Sequence, residues 1–345
     1  MASSGNLASR IRGAILGLAV CDALGAPVEF KARGRFPLVT EMLPNESFNT
    51  PAGAFTDDTS MAMCLAHSLV ENEGKHNAID QAEKYLAWSD QGFMSSVGYC
   101  FDIGVSTRLC LRRWQELINS EIKTLKPGSP TAESAAFTIE KTIRHEFRKE
   151  VFCGNGSLMR VLPTALMASS VDEAAALAFQ SSLTTHPHAR CTSACGLYAR
   201  LVFLATQISD SHDDKESLAL DLTNMVNGTD MEVEQVLKQR LAPYKSVADW
   251  FSKPVSEISS SGYVVDSLEA SLWAFFTTDA FEEGAIKVVN LGDDADTVGA
   301  IYGGLAGAFY GAEAIPDRWL SRMKRKDLLD DVITKVIAFR QGLAK

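Results

Sequence analysis

Two short acidic segments of this 345-residue sequence have side chains that could bind metal ions. Residues 56–59 read TDDT and residues 293–297 read DDADT, and each stands at the start of a predicted helix. Carboxylates and hydroxyls with no histidine or cysteine beside them suit Mg²⁺, Mn²⁺ or Ca²⁺. If the two segments met in the fold, four of their carboxylates would balance the charge of two divalent cations: Asp57, Asp58, Asp294 and Asp296.

The same residue types are also good helix caps. Asp, Thr and Ser at a helix start accept hydrogen bonds from free N–H groups and complement the helix dipole. One helix start needs one cap, whereas each of these segments has three or four oxygen-bearing side chains, whose repulsion a cation would relieve. The pattern favours a dinuclear metal centre and leaves plain capping open.

Helical periodicity dominates the rest of the chain. Apolar residues recur at helical spacing in the stretches that begin at Ile11, Met61 and Val332, whereas alternating strand patterns are scarce. No run of turn-forming residues is long enough to be an interdomain linker. The sequence predicts one compact all-α domain over residues 1–345, with roughly residues 1–8 as a flexible tail.

The helix predicted after the second acidic segment is unusually rich in glycine. Glycine costs a helix about 1 kcal/mol relative to alanine, so packing must offset several such residues. They follow a spacing of four along residues 298–310 and the residue after them: Gly299, Gly303, Gly307 and Gly311. The first predicted helix has Gly13 and Gly17, so close packing of the two backbones would hold the acidic segment rigidly.

Composition excludes several classes of partner. With 33 basic and 43 acidic residues the net charge is -10, which disfavours binding to nucleic acid or anionic lipid. The uncharged apolar run of residues 13–21 is shorter than the roughly 20 residues that span a bilayer. Seven cysteines without a CxxC pair indicate reduced thiols, and the N-terminus lacks the features of a secretory signal. We expect a monomer in the cytosol or nucleus.

Several segments, in order along the chain, resemble the ADP-ribosylglycohydrolase family. This family includes the dinitrogenase reductase activating glycohydrolase and the vertebrate ADP-ribosylarginine and ADP-ribosylserine hydrolases. The matching blocks are residues 17–29 (GLAVCDALGAPVE), 55–62 (FTDDTSMA), 92–104 (GFMSSVGYCFDIG), 154–160 (GNGSLMR), 185–186 (TH), 262–273 (GYVVDSLEASLW) and 290–311 (NLGDDADTVGAIYGGLAGAFYG). The resemblance implies an all-α fold with two Mg²⁺ or Mn²⁺ ions in a central cleft. It also implies hydrolysis of the bond between the distal ribose of ADP-ribose and a protein side chain.

The resemblance implies six metal ligands: Thr56, Asp57, Asp58, Asp294, Asp296 and Thr297. Asp293 is left out, because some relatives have glycine there. Glu29 and Asp102 match family carboxylates at the metal centre and at the substrate linkage, so both are candidate catalytic residues. From the residues alone, Glu29 could be a surface acid and Asp102 a turn residue.

Other residues are candidates for binding ADP-ribose. A glycine-rich turn that feeds a helix can bind phosphate through free N–H groups, although most such turns are plain loops. The resemblance favours the diphosphate role for the turn: Gly154, Asn155, Gly156 and Ser157. It also places His186 in the cleft, and Tyr263 could stack on the nucleotide. A zinc site that combines His186 and His188 with Cys191 and Cys195 is less favoured than core packing of the cysteines.

The sequence leaves more than one ADP-ribosyl linkage open as the substrate. Asp102 favours an ADP-ribosylated arginine, whose guanidinium pairs with carboxylates. Val105 departs from the pattern, because nitrogenase-regulating members have asparagine there. ADP-ribosylserine or a small ADP-ribose conjugate are alternatives, and so is a catalytically silent ADP-ribose-binding protein. Retention of all six predicted ligands favours an active enzyme.

Overall fold

The computed structural model describes residues 4–208, 214–228 and 232–343. Within these ranges the chain forms sixteen α-helices joined by turns and loops, with two isolated β-bridges and no strand. The helices are α1 Ser4–Gly25, α2 Asp57–Glu71, α3 Ala78–Gln91, α4 Val105–Leu117, α5 Pro130–Phe147, α6 Leu162–Met167, α7 Val171–Leu183, α8 Ala189–Gln207, α9 Asp214–Asn227, α10 Gln235–Leu241, α11 Val247–Ser252, α12 Val264–Phe276, α13 Phe281–Val289, α14 Ala295–Tyr310, α15 Asp317–Leu320 and α16 Lys326–Leu343. The predicted all-α fold is confirmed.

Helices α1 and α14 pack backbone against backbone at the centre of the fold. A Cβ atom added to Gly17 would lie less than 3.0 Å from the Gly303 carbonyl oxygen, and one at Gly303 would clash with Gly17. Gly13 and Gly307 oppose each other in the same way. The predicted glycine packing is therefore confirmed. Gly311 lies outside the ridge, because it follows the last residue of α14 with a φ of 83°.

The antiparallel pair places the end of α1 beside the start of α14. Gly25 packs against Ala295, and a 3₁₀ turn over Ala26–Val28 leads on to Glu29. The Phe30 N–H then donates to the Asp293 carbonyl at 2.7 Å, and the Asp293 N–H donates to the Lys31 carbonyl at 2.9 Å. These two hydrogen bonds fix the segment around Glu29 against the second acidic segment.

Helix α1 also differs from two sequence expectations. It begins at Ser4, so residues 4–8 of the predicted tail are helical, and residues 6–9 are half-buried. Residues 6–28 form a helical stretch long and apolar enough to cross a membrane, with a mean hydropathy of 1.5. This stretch is longer than the uncharged run of residues 13–21 because it includes charged residues, which that run leaves out. Its most apolar part is 94% buried inside the protein, as in a core helix.

Candidate active site

A large open cleft with a volume of about 1270 Å³ lies where α2, α3, α4 and α14 meet the loops between helices. It is lined by most of the residues predicted from the sequence: Glu29, Asp57, Asp102, Gly154, Asn155, Gly156, His186, Asp294, Asp296 and Thr297. Four predicted residues are not part of its lining: Thr56, Asp58, Ser157 and Tyr263. The structure thus brings both acidic segments and the glycine-rich turn to one cleft.

Three carboxylates form the tightest group in this cleft. One ligand oxygen each of Glu29, Asp294 and Asp296 lies within 4.8 Å of the others. Among the described residues, no other group of three or more His, Cys, Asp or Glu side chains is so arranged, so the zinc alternative at His186 finds no support. Glu29, predicted as a catalytic carboxylate, therefore lies close enough to share a cation with the second segment.

The start of α2 is capped by a residue from another helix. Asp22 of α1 accepts hydrogen bonds from the N–H of Thr56 at 2.9 Å and of Thr59 at 3.1 Å. Thr56, the N-cap residue, makes no side-chain cap; its hydroxyl donates instead to Asp58 at 3.1 Å. The other carboxylate oxygen of Asp58 is buried without a hydrogen-bond partner. Asp57 and Asp58 are therefore not needed as caps of α2.

The start of α14 is organised differently. Asp294 is its N-cap residue, yet its side chain accepts no hydrogen bond from the helix N–H groups. Instead, the amide of Asn155 donates to Asp294 at 2.6 Å and to Ser267 at 2.9 Å. Asp296 accepts the N–H of Thr297 at 2.9 Å. Asn155, predicted to bind diphosphate, thus also orients a carboxylate of the acidic centre.

Burial governs the electrostatics of the centre. It raises the pKa values of Asp57, Asp58 and Asp296 well above their usual range, and repulsion from neighbouring carboxylates adds to the effect. Without a compensating charge, burial of this kind favours the protonated form of a carboxyl group. Buried carboxylates with unpartnered oxygens fit divalent cations, which bind oxygen ligands and would keep them ionised. The buried, unpartnered carboxylate oxygens of this centre therefore fit divalent metal ions.

Glu29 and Asp102 form a second, coupled pair at the edge of the centre. Burial and the adjacent Asp102 raise the pKa of Glu29 to about 11. Burial raises the pKa of Asp102 to about 6, whereas its hydrogen bond with Glu29 opposes that rise. One oxygen of each carboxyl group is buried without a hydrogen-bond partner. The pair can therefore hold one proton between two carboxyl groups that line the cleft.

The glycine-rich turn is held by the segment that precedes α12. Gly154 forms an isolated bridge with Tyr263, and the Asn155 N–H donates to the Gly262 carbonyl at 3.0 Å. A Cβ atom on Gly156 would lie 3.0 Å from both His186 Cε1 and Thr107 Oγ1. Glycine at this position therefore keeps the cleft open between the turn and α4.

His186 presents a neutral N–H donor to the turn. Arg160 donates to the Thr185 hydroxyl at 2.5 Å, and that hydroxyl lies 2.8 Å from His186 Nδ1. Because the guanidinium can only donate, the hydroxyl accepts from it and its own proton is available to Nδ1; that arrangement leaves the imidazole proton on Nε2. Burial and the charge of Arg160 lower the pKa of His186 to about 3. Nε2 faces the glycine-rich turn: a Cβ atom added to Gly156 would lie 3.2 Å from it, and one added to Gly154 would lie 3.9 Å from it.

Two predicted ADP-ribose residues face other parts of the protein. The Ser157 hydroxyl accepts a hydrogen bond from Ser182 at 2.9 Å and is buried. The ring of Tyr263 lies 5.7 Å from the guanidinium carbon of Arg190 and packs against the core. Neither side chain is part of the cleft lining.

Sequence reasoning missed two features of the cleft. The start of α4 is one: Gly104, Val105, Ser106 and Thr107 line the cleft, and no side chain caps the helix. Free N–H groups at a helix start bind anions, and Gly104 before a helical stretch was an available signal. The other feature is a group of three phenylalanines that line the cleft, Phe30, Phe48 and Phe101. They come from separate loops, so their spacing along the chain does not predict that they meet.

The fold and cleft define an all-helical protein with a buried acidic centre beside a glycine-rich turn and an uncapped helix start. A family model described as ADP-ribosylglycohydrolase matches residues 3–343, and the chain belongs to the ADP-ribosylglycohydrolase family. Membership supports ADP-ribosyl glycohydrolase activity, a hydrolase reaction.

Characterised relatives cover most of the chain. ADP-ribosylarginine hydrolase Tri1 of Pseudomonas putida is 33% identical over 91% of this chain and 74% of its own length. The ADP-ribosyl-[dinitrogen reductase] glycohydrolase of Rhodospirillum rubrum is 30% identical over 92% of this chain and 91% of its own. A solved structure of an ADP-ribosylglycohydrolase-related protein complex is 33% identical with a TM-score of 0.72, covering 98% of this chain and 99% of the other.

Proposed function

We propose that this protein is a Mg²⁺- or Mn²⁺-dependent hydrolase that releases ADP-ribose from an arginine side chain of a protein. The bond cleaved joins the anomeric carbon of the distal ribose to the guanidinium nitrogen. The observation that carries the proposal is the convergence of the acidic centre, the Glu29–Asp102 pair and two anion-binding segments on one cleft. Family membership and the names of the bacterial relatives support it.

Two divalent cations would be held by residues from the two acidic segments: Thr56, Asp57, Asp58, Asp294, Asp296 and Thr297. Glu29 lies within reach of the same site. Such ions, when bound, supply Lewis acidity that orients ribose hydroxyls and lowers the pKa of water. Support for this assignment comes from the unpartnered oxygens of Asp58 and Glu29 and from the charge of the buried group.

Glu29 and Asp102 supply the proton transfers. Glycosidic bonds break through an oxocarbenium-like state, which requires a protonated leaving group and an activated water. A pair that shares one proton can give it up at one carboxyl group and take one up at the other. Asp102 also offers a carboxylate to the guanidinium of the leaving arginine.

The diphosphate would bind along the glycine-rich turn and the start of α4, beside the acidic centre. Gly154 and Gly156 leave room for it, and the uncapped start of α4 offers N–H donors. The His186 Nε2–H is a further donor. Arg108, which also lines the cleft, adds a positive charge beside that helix start.

The linkage is tested by comparing two substrates under the same conditions. Peptides ADP-ribosylated on arginine or on serine are incubated with the protein and Mg²⁺ or Mn²⁺, and the initial rate of ADP-ribose release is measured. We expect faster release from arginine. Faster release from serine would move the assignment to the ADP-ribosylserine alternative. An increase in Tm with ADP-ribose, without turnover of either peptide, would indicate a silent binding protein.

A further inference from the structure

A row of aromatic rings borders the cleft. The centroids of Phe30 and Phe48 are 6.4 Å apart, those of Phe48 and Phe101 are 5.5 Å apart, and those of Phe101 and Tyr99 are 6.3 Å apart. Phe30 is 70% exposed and Tyr99 is 51% exposed. These four residues, called the aromatic row below, present a continuous apolar surface to solvent, and such a surface commonly marks a binding site.

The row starts at the two candidate proton-transfer residues. Phe30 directly follows Glu29, Phe101 directly precedes Asp102, and both rings line the cleft together with Phe48. These carboxyl groups act where the leaving group separates from the ribose. The row therefore borders the part of the cleft where the leaving group would separate from the ribose.

The backbone holds these rings in place. Phe30 has a φ of 61°, a left-handed conformation that is uncommon outside glycine, and its N–H is bonded to Asp293. The Phe48 loop is closed by Asn45, whose amide donates to the Ala26 carbonyl at 2.8 Å. The Ser95 hydroxyl donates to the Tyr99 carbonyl at 2.6 Å. A preorganised surface loses little conformational freedom on binding.

We infer that the aromatic row docks the peptide segment of the acceptor protein, with apolar side chains next to the modified residue packed on its rings. Four neighbouring rings offer more surface than one arginine side chain covers. The exposed Asp90 and Asp293 also line the cleft, and the net charge of -10 suits a cationic segment. The inference rests on the proposed function, because it requires a protein side chain as the leaving group.

The test compares three substrates and three proteins. The substrates are free ADP-ribosylarginine, a short peptide with leucines beside a central ADP-ribosylated arginine, and the same peptide with aspartates in place of the leucines. The proteins are wild type, a Phe30→Ala/Phe101→Ala double variant and a Phe137→Ala control. Phe137 on α5 is 69% exposed, nearly the same as Phe30, and does not line the cleft.

The wild type should prefer the leucine peptide, and the double variant should lose about tenfold in kcat/KM on that peptide. Its kcat/KM on free ADP-ribosylarginine should stay within about twofold, and Phe137→Ala should match wild type throughout. Equal losses on all substrates would overturn the inference and assign the row to the ADP-ribose moiety. Unchanged kinetics on the leucine peptide would also overturn it.

A binding measurement separates this inference from the proposed function. Isothermal titration with the unmodified leucine peptide needs no turnover. If the wild type cleaves no arginine linkage, the proposed function fails. Weaker binding of this peptide to the double variant than to Phe137→Ala would then still support the docking surface, and equal binding would contradict it.

Discussion

The two acidic helix starts look alike in sequence but are built differently. At α2, a residue from another helix, Asp22, takes the free N–H groups, and the start is buried. At α14, the N-cap residue Asp294 is half-buried and held by Asn155 instead of capping the helix, and only Asp296 accepts a helix N–H, that of Thr297. Asp57, Asp58 and Asp294 therefore do not cap these two helices. The comparison favours a metal-binding role for both segments and indicates that different interactions hold each one in place.

The largest expected effect comes from removing one carboxylate charge from either start. Asp58→Asn and Asp296→Asn should each lower ADP-ribose release at least about 100-fold, because each would remove a metal ligand. The metal-free variants should be no less stable than wild type, since repulsion inside the buried group falls. Rates and urea unfolding of the metal-free proteins check both statements.

The control for these variants is Asp317→Asn, at the exposed start of α15. It should leave release unchanged. If the acidic segments were only caps, Asp58→Asn and Asp296→Asn would instead retain activity, because Asn caps a helix about as well as Asp. That result would contradict the comparison drawn between α2 and α14.

The second effect concerns what holds α14 in place. Gly303→Ala should lower the free energy of unfolding by about 3 kcal/mol, because the added methyl group meets the Gly17 backbone. Gly342→Ala on α16 is the matched control, since a Cβ atom there has no neighbour within 4 Å. Urea unfolding measures both. Equal stability of the two variants would contradict tight packing of α1 on α14.

The third effect concerns what holds α2 in place. Asp22→Asn should lower the free energy of unfolding by about 2 kcal/mol. An amide offers only one accepting oxygen to the donors on Thr56 and Thr59, and its NH₂ group opposes the others. Thermal and urea unfolding of the metal-free protein would show the loss. Unchanged stability would mean that Asp22 is not the cap of α2.

Sequence reasoning found the elements of this site because helix periodicity and acidic helix starts are local patterns. The glycine spacing also predicted the contact between α1 and α14. The position of Glu29 beside Asp294 could not be predicted from the residues alone, because it depends on hydrogen bonds between Phe30 and Asp293, at opposite ends of the chain. A motif also does not say which side chains face the cleft, as Ser157 shows.

The smallest expected effect is a pH dependence of stability that comes from His186, the buried histidine beside the glycine-rich turn. The pKa of His186 is lowered to about 3, so the unfolded chain binds a proton below about pH 6.5 and the folded chain does not. Stability is therefore lost as the pH falls through that range. Between pH 7.5 and 5.5 this loss should be about 1.4 kcal/mol larger in wild type than in His186→Gln.

Urea unfolding of the metal-free proteins at the two pH values measures this difference. His145→Gln, at an exposed histidine on α5, serves as the control and should behave as wild type. If His186→Gln shows the same pH dependence as wild type, His186 is not held neutral by its surroundings.

The central claim is that the two acidic segments bind the cations on which hydrolysis depends. The most direct measurement is ADP-ribose release from an arginine-ADP-ribosylated peptide by the wild type, before chelation, after chelation, and after Mg²⁺ or Mn²⁺ is returned. We predict that release stops on chelation and recovers with either ion, and that Asp296→Asn does not recover. Undiminished release after chelation would contradict the claim.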